Sequence, residues 1–332
     1  MPLPAPLAPN DVGLILSYQC QAECAHCLYN CASQRNAWIS SEDLTHALQV
    51  LASLHPPIQV HLTGGEPFLR FPLLLEATQQ AVGLGLRVYV ETNAGWCISQ
   101  ELTHRQMSQL RRAGMEAILI SISPFHAERI PLERTWLAIE IAETVFGRGR
   151  VMVYQDQWRA PLQDLAGGGK LHLSAWEQAF GQEQTGRLLW DGYGLIPGGR
   201  SGYRLGYLRQ GLPVEAFEHL TCQQDILFAP HSHFDLHGDY IPGFCGGLSL
   251  GSWKEFDQLQ ASAREGDYPS LVRYLIDGGP FYLFKMAQAD YSYKSRSEGY
   301  VGKCHLCVDV RRHLKTQDEF PDLAPSEFYD YF

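Results

Sequence analysis

Short apolar runs alternate with amphipathic stretches through the first half of this chain, and that alternation constrains the fold more than any other feature. "VGLILSY" (12–18), "IQVHL" (58–62), "LRVYVE" (86–91), "EAILISIS" (116–123) and "RVMVYQ" (150–155) read as buried strands. Between them lie "SSEDLTHALQVLASL" (40–54), "FPLLLEATQQAV" (71–82), "SQELTHRQMSQLRRAG" (99–114) and "PLERTWLAIEIAETVF" (131–146). In the first of these, Leu44, Ala47, Leu48, Leu51 and Leu54 keep helical spacing, and Ser40 with Asp43 forms a candidate capping pair. A repeated β–α unit predicts parallel strands joined by right-handed crossovers. With "RLLWDGYGL" (187–195) as a sixth strand, the expected fold is α/β: a partial (β/α)6 TIM-like barrel. In such folds the chemistry gathers at the carboxyl ends of the strands.

The rhythm stops near residue 196, where Gly-rich "IPGGRSGYRLG" reads as a linker. Beyond it, "HFDLHGDYIP" (233–242) reads as a hairpin turning at Gly238, and "SWKEFDQLQASA" (252–263) and "YPSLVRYLI" (268–276) read as helices. The expected division is a core over 1–200 and a smaller, cysteine-containing α+β domain over 201–332. A length of 332 residues suits one large domain plus a smaller one. A formal charge of −10 gives a nucleic-acid partner no electrostatic support. No stretch approaches the roughly 18 apolar residues of a membrane span, and the start lacks the pattern of a signal peptide. The expectation is a cytoplasmic protein with no membrane partner.

Nine cysteines in such a chain point to metal binding or chemistry rather than disulfides. Cys20, Cys24 and Cys27 form C-x3-C-x2-C directly after the first strand. Thiolates this close can wrap one iron–sulfur cluster, and three of them leave one iron of a four-iron cube open. The alternative is a zinc site completed by Cys31 or His26. "GGEP" (64–67) follows the second strand, where two glycines permit close approach of backbone to a ligand and Glu66 adds a carboxylate. Cys31 and Cys97 belong to no motif and read as small buried hydrophobes.

"CQAECAHC", "TGGEP" and "ETNAG", in that order on successive strands, resemble the radical S-adenosylmethionine superfamily across roughly residues 12–200. The resemblance implies a [4Fe–4S] cluster on Cys20, Cys24 and Cys27, with the open iron chelated by the amino and carboxylate groups of S-adenosylmethionine. Reductive cleavage would give a 5′-deoxyadenosyl radical that abstracts a hydrogen from substrate. It places Gly64, Gly65 and Glu66 near the methionine amino group, His26 near the adenine in a position that is often aromatic, and Thr92 and Asn93 near the ribose. "SISPFH" is similar to an S-x-D-x-F-H segment of some members, with Ser123 replacing the acid; Ser121 and His126 are pocket candidates, set against an interior hydroxyl and a solvent-facing imidazole. Glu91, His126, Tyr154 and Gln155, at strand ends, are the candidate catalytic or hydrogen-bonding groups. An external reductant such as flavodoxin or ferredoxin is the implied redox partner.

Cys222, Cys245, Cys304 and Cys307 complete one coordination sphere in the second region. Their layout is similar to the auxiliary-cluster domains called SPASM or twitch, which implies a second iron–sulfur cluster; a structural zinc would take the same ligands. His231, His233 and His237 read as solvated hairpin residues. With the barrel starting near residue 12, no cobalamin-binding or leader-peptide-binding domain is expected before it. The expected reaction is an oxidative modification of a peptide or small metabolite. The alternatives are a redox-neutral rearrangement or epimerisation with a structural second site, and a non-catalytic zinc or iron–sulfur protein.

Overall fold

The computed structural model describes residues 6–55, 57–166 and 168–332. The chain divides into two compact units. One comprises Asn10–Cys24 and Cys31–Gly181; the other comprises Ala25–Asn30 and Gln182–Phe332 with the described residues that precede Asn10.

The first unit is the β–α repeat. Strands β1 (Asp11–Ile15), β2 (Gln59–Thr63), β3 (Arg87–Thr92), β4 (Ala117–Ser121) and β5 (Val151–Tyr154) are parallel, and each pairs with its successor in sequence. The order never reverses, so the unit winds in one direction, as a barrel wall does and a doubly wound sheet does not. The connections carry α1 (Ser41–Ser53), α2 (Phe71–Gly83), α3 (Gln100–Arg112), the single turn α4 (Pro124–Ala127) and α5 (Leu132–Phe146); α6 (Arg159–Ala166) and α7 (Leu173–Phe180) follow β5. Val60, Leu62, Val90, Ile118 and Ile120 are fully buried, and they alternate with residues of the opposite face. Ser40 caps α1 as the sequence predicts: its hydroxyl accepts from the Asp43 amide at 3.0 Å.

The second unit holds α8 (Gln182–Arg187), α9 (Ser201–Arg204), α10 (Gln223–Leu227), the antiparallel hairpin β6 (His231–Asp235) and β7 (Tyr240–Pro242), α11 (Phe256–Glu265), α12 (Ser270–Asp290, kinked at Gly279 before Pro280) and α13 (Lys303–Lys315). The α/β core and the cysteine-bearing α+β region agree with the expected fold class. The sixth strand does not form among the described residues. Leu188–Gly192 is a π-helical turn, with the Tyr193 amide on the Leu188 carbonyl and the Leu195 amide on that of Trp190. Three consecutive apolar residues, Leu188 to Trp190, suit either secondary structure, and length alone misassigned them. The Gly-rich segment is no solvated linker either: Gly198 to Gly202 are buried, and the Ser201 hydroxyl donates to the carbonyls of Ile196 and Gly198. No helix among the described residues is long and apolar enough to cross a membrane.

Ser40→Ala removes one acceptor from the exposed amino end of α1. It is expected to lower unfolding stability by about 1 kcal/mol in urea denaturation, with the slope unchanged.

Candidate functional site

Within the first unit, the segment carrying Cys20, "GGEP" and "ETN" meet at the carboxyl ends of β1, β2 and β3. The Gly65 amide donates to the Ser17 carbonyl at 2.8 Å and the Glu66 amide to that of Gln19 at 2.9 Å, so "GGEP" is laced to the segment entering Cys20. A Cβ on Gly64 would lie 2.2 Å from the Ser17 oxygen, and one on Gly65 1.8 Å from the Gln19 oxygen. The two glycines are thus required by the chain's own loop. Gly64 also needs its φ of +137°, a region side chains rarely adopt. Its carbonyl faces the Cys31 sulfur at 3.7 Å.

Glu66 is completely buried. Its carboxylate accepts from the Thr92 hydroxyl at 2.9 Å, the Asn93 amide at 2.8 Å and the Phe68 amide at 3.2 Å. Burial pushes its pKa up to about 7 against the pull of those hydrogen bonds. Thr92 in turn accepts from the Ala94 amide and the Trp96 indole, and Trp96 stacks on Phe68 with ring centroids 3.9 Å apart. The Asn93 side-chain oxygen accepts from Gly95 N and Gln21 Nε2, leaving its amide nitrogen 3.5 Å from the Cys20 sulfur. The Ala22 amide donates to the same sulfur at 3.4 Å. Two N–H groups aimed at one sulfur suit a thiolate ligand rather than a thiol.

Cys24 is buried in this unit, whereas Cys27 and His26 lie in the Ala25–Asn30 stretch of the other. There the Cys27 carbonyl accepts from the Arg200 amide, and His26 meets Tyr193 edge-on at 5.6 Å. None of the nine cysteines forms a disulfide. Cys97 is buried and its thiol is pushed up to about 12 by desolvation, the state of an inert core residue.

The sheet face opposite the helices carries a polar line that the sequence reading missed apart from Glu91 and Ser121. His61 is buried on β2. Its Nε2 lies 3.0 Å from Glu91 and its Nδ1 3.7 Å from Asp11, and it stacks on Tyr89 at 5.1 Å. Glu91 also accepts from Ser121 at 3.1 Å and Thr63 at 3.3 Å. Burial disfavours a charge on His61, but hydrogen bonds to Asp11 and Glu91 outweigh it and hold its pKa up at about 9. Burial likewise works against the Glu91 carboxylate, yet His61 and Ser121 hold it down at about 2. The signal was present: polar residues at every second position of "QVHLT" and "RVYVE" mark a working face. His126 is half-buried rather than solvent-facing. Ser123 caps its helical turn and meets its Nδ1 at 2.7 Å, so the serine in the acid's place orients the imidazole. Burial lowers the His126 pKa to about 4. Tyr154 is exposed at the end of β5, and Gln155 is spent on Trp158 and Gln157.

In the second unit Cys222, Cys245, Cys304 and Cys307 are brought together. Burial raises the pKa of Cys245 and Cys304 to about 12 and that of Cys222 further, and the neighbouring thiols add to each rise. Sulfurs that resist ionising beside one another suit a metal centre, which supplies the positive charge they lack. His231 is half-buried, and His233 is not solvated. His233 is buried, 3.0 Å from the Tyr29 hydroxyl and 3.1 Å from His231; His237 alone is exposed, in the turn.

No family model and no curated protein matches the sequence. Among solved structures, BtrN in complex with AdoMet and 2-DOIA is 13% identical, with 82% of this chain and 89% of BtrN covered at a TM-score of 0.46. anSMEcpe with bound AdoMet and the Cp18Cys peptide is 12% identical over 97% of this chain and 96% of its own, at 0.36. Streptococcus suis SuiB bound to the precursor peptide SuiA is 13% identical over 96% and 75%, at 0.37. With these TM-scores under one half, the likeness carries no argument about function.

The charge on His61 makes stability depend on alkaline pH. Its folded pKa of about 9 lies above the ordinary 6.5, so its contribution is complete below 6.5 and disappears as pH rises through about 9. Denaturation midpoints of the wild type are expected to fall across that window, and those of His61→Gln to lose this slope.

Proposed function

We propose that the chain is a radical S-adenosylmethionine enzyme with an auxiliary iron–sulfur site in its second unit. The observation that carries this reading is the lacing of "GGEP" and "ETN" around Cys20, with two N–H donors on a sulfur of the C-x3-C-x2-C set.

Cys20, Cys24 and Cys27 would hold the [4Fe–4S] cluster, and Cys222, Cys245, Cys304 and Cys307 the second. When bound, these groups supply a 5′-deoxyadenosyl radical from S-adenosylmethionine, which removes a hydrogen atom from substrate, and an acceptor for the electron that an oxidation leaves. The protein does the rest by holding and orienting. Glu66 spends its carboxylate on Thr92 and Asn93, and thereby fixes the strand end assigned to the ribose. Gly64 and Gly65 set the backbone assigned to the methionine end. His26, held edge-on by Tyr193, is assigned to the adenine.

Glu91, Ser121 and Tyr154 share the polar sheet face, where they would meet substrate. Glu91 at about 2 and His126 at about 4 are poor proton acceptors at neutral pH, which favours binding over base catalysis for both. The face suits a polar substrate rich in hydrogen-bonding groups, either a peptide side chain or a small metabolite. Flavodoxin or ferredoxin would supply the reducing electron.

The anaerobically reconstituted, reduced protein is expected to convert S-adenosylmethionine to 5′-deoxyadenosine. Cys20→Ala, Cys24→Ala and Cys27→Ala should each abolish it, whereas Cys97→Ala should not. Nucleoside formation that survives loss of the three cysteines would refute the assignment.

A further inference from the structure

Arg311 stands one helical turn beyond Cys307 on α13, on the same side of that helix. Its side chain is buried, with the residue 2% exposed. Nη1 donates to the Gly246 carbonyl at 3.1 Å, beside Cys245, and to the Tyr329 hydroxyl at 3.1 Å; Nε is buried without a hydrogen-bond partner. The rings of Phe328 and Tyr329 each lie 5.9 Å from the guanidinium and shield it. The Tyr329 hydroxyl donates a hydrogen bond to the Gly247 carbonyl, so the Cys245 loop, Arg311 and Tyr329 form one closed set.

A buried guanidinium needs a counter-charge. Among the described residues no carboxylate forms an ion pair with it. Asp322 is the acid that senses it, but it forms no ion pair with it: its Oδ2 accepts from the Leu271 amide, and burial raises its pKa while Arg311 lowers it. Lys303, the other cation near these cysteines, is matched by Asp225 at 2.6 Å. The other titratable groups beside Arg311 are the Cys245 and Cys307 sulfurs and the Tyr329 phenol, which is itself a hydrogen-bond donor and therefore neutral, so the sulfurs remain as the sites of counter-charge. Four thiolates around an iron–sulfur cluster carry net negative charge, which grows by one when the cluster is reduced.

We propose that Arg311 is the counter-cation of the C-terminal iron–sulfur cluster, a positioning residue that holds the Cys245 loop and raises the cluster's reduction potential. The cation stabilises the reduced, more negative state, and so makes this cluster the better electron acceptor. The inference rests on the iron–sulfur reading of the four-cysteine site.

The test is a potentiometric EPR titration of the full-length reconstituted protein, with iron and zinc counted in the same samples, for wild type, Arg311→Met and Arg311→Lys. The methionine variant is expected to keep its iron and to lose roughly tenfold in electron affinity at one cluster, about 59 mV for one electron. The lysine variant should stay near wild type, and the cluster on Cys20, Cys24 and Cys27 should not shift in either. Loss of the C-terminal iron in the methionine variant alone would also support the counter-cation, because lysine keeps the charge. An unchanged potential in an iron-replete methionine variant would overturn the proposal. So would equal loss of iron in both variants, which would assign Arg311 to hydrogen-bonding shape alone. Zinc at this site in the wild type would overturn the iron–sulfur reading and the proposal with it, and the metal count separates that failure from the others.

Discussion

A single buried carboxylate orders the upper edge of the β–α unit. Glu66 comes from the end of β2, and its acceptor sites are filled from the end of β3 and from the turn that follows its own strand. Its burial is costly, as the rise of its pKa to about 7 records, and only the donors of Thr92, Asn93 and Phe68 make it tolerable. Through Asn93 the same carboxylate reaches the Cys20 sulfur, and through the adjoining glycines the β2 edge reaches the segment that precedes Cys20. A change that frees Glu66 therefore also frees the residues we assign to S-adenosylmethionine.

The opposite face of the sheet follows a different rule. Asp11, His61 and Glu91 form an acid–imidazolium–acid line with one net negative charge, and the hydroxyls of Thr63, Ser121 and Tyr89 donate to its carboxylates. Such a line holds its protonation state across the neutral range. It presents a fixed field to whatever binds on that face and exchanges no proton with it.

The repeat was legible because helical and strand periods differ and each element buries one face: Leu44, Ala47, Leu48 and Leu51 mark α1, and the Ser40 cap marks its start. The order of the cysteine, "GGEP" and "ETN" motifs was legible because chemistry gathers at strand ends. What the glycines make room for was not, since the Ser17 and Gln19 carbonyls come from another strand's loop. Leu188 to Trp190 were misassigned because a three-residue apolar run has no period. His61 and Asp11 escaped because their meaning lies in register: His61 sits beside Tyr89 and two positions from Glu91 only once β2 and β3 pair. Arg311 escaped for a similar reason, since its hydrogen-bond partners Gly246 and Tyr329 lie on other segments of the chain.

The central claim is that Cys20, Cys24 and Cys27 leave one iron open for S-adenosylmethionine. The most direct measurement is electron–nuclear double resonance on the reduced, reconstituted protein with S-adenosylmethionine labelled with nitrogen-15 at its amino group. A hyperfine coupling between the reduced cluster and that nitrogen, absent without the labelled compound, is the predicted result. A reduced cluster that shows no coupling to the labelled nitrogen, or zinc at these three cysteines in place of iron, would contradict the account.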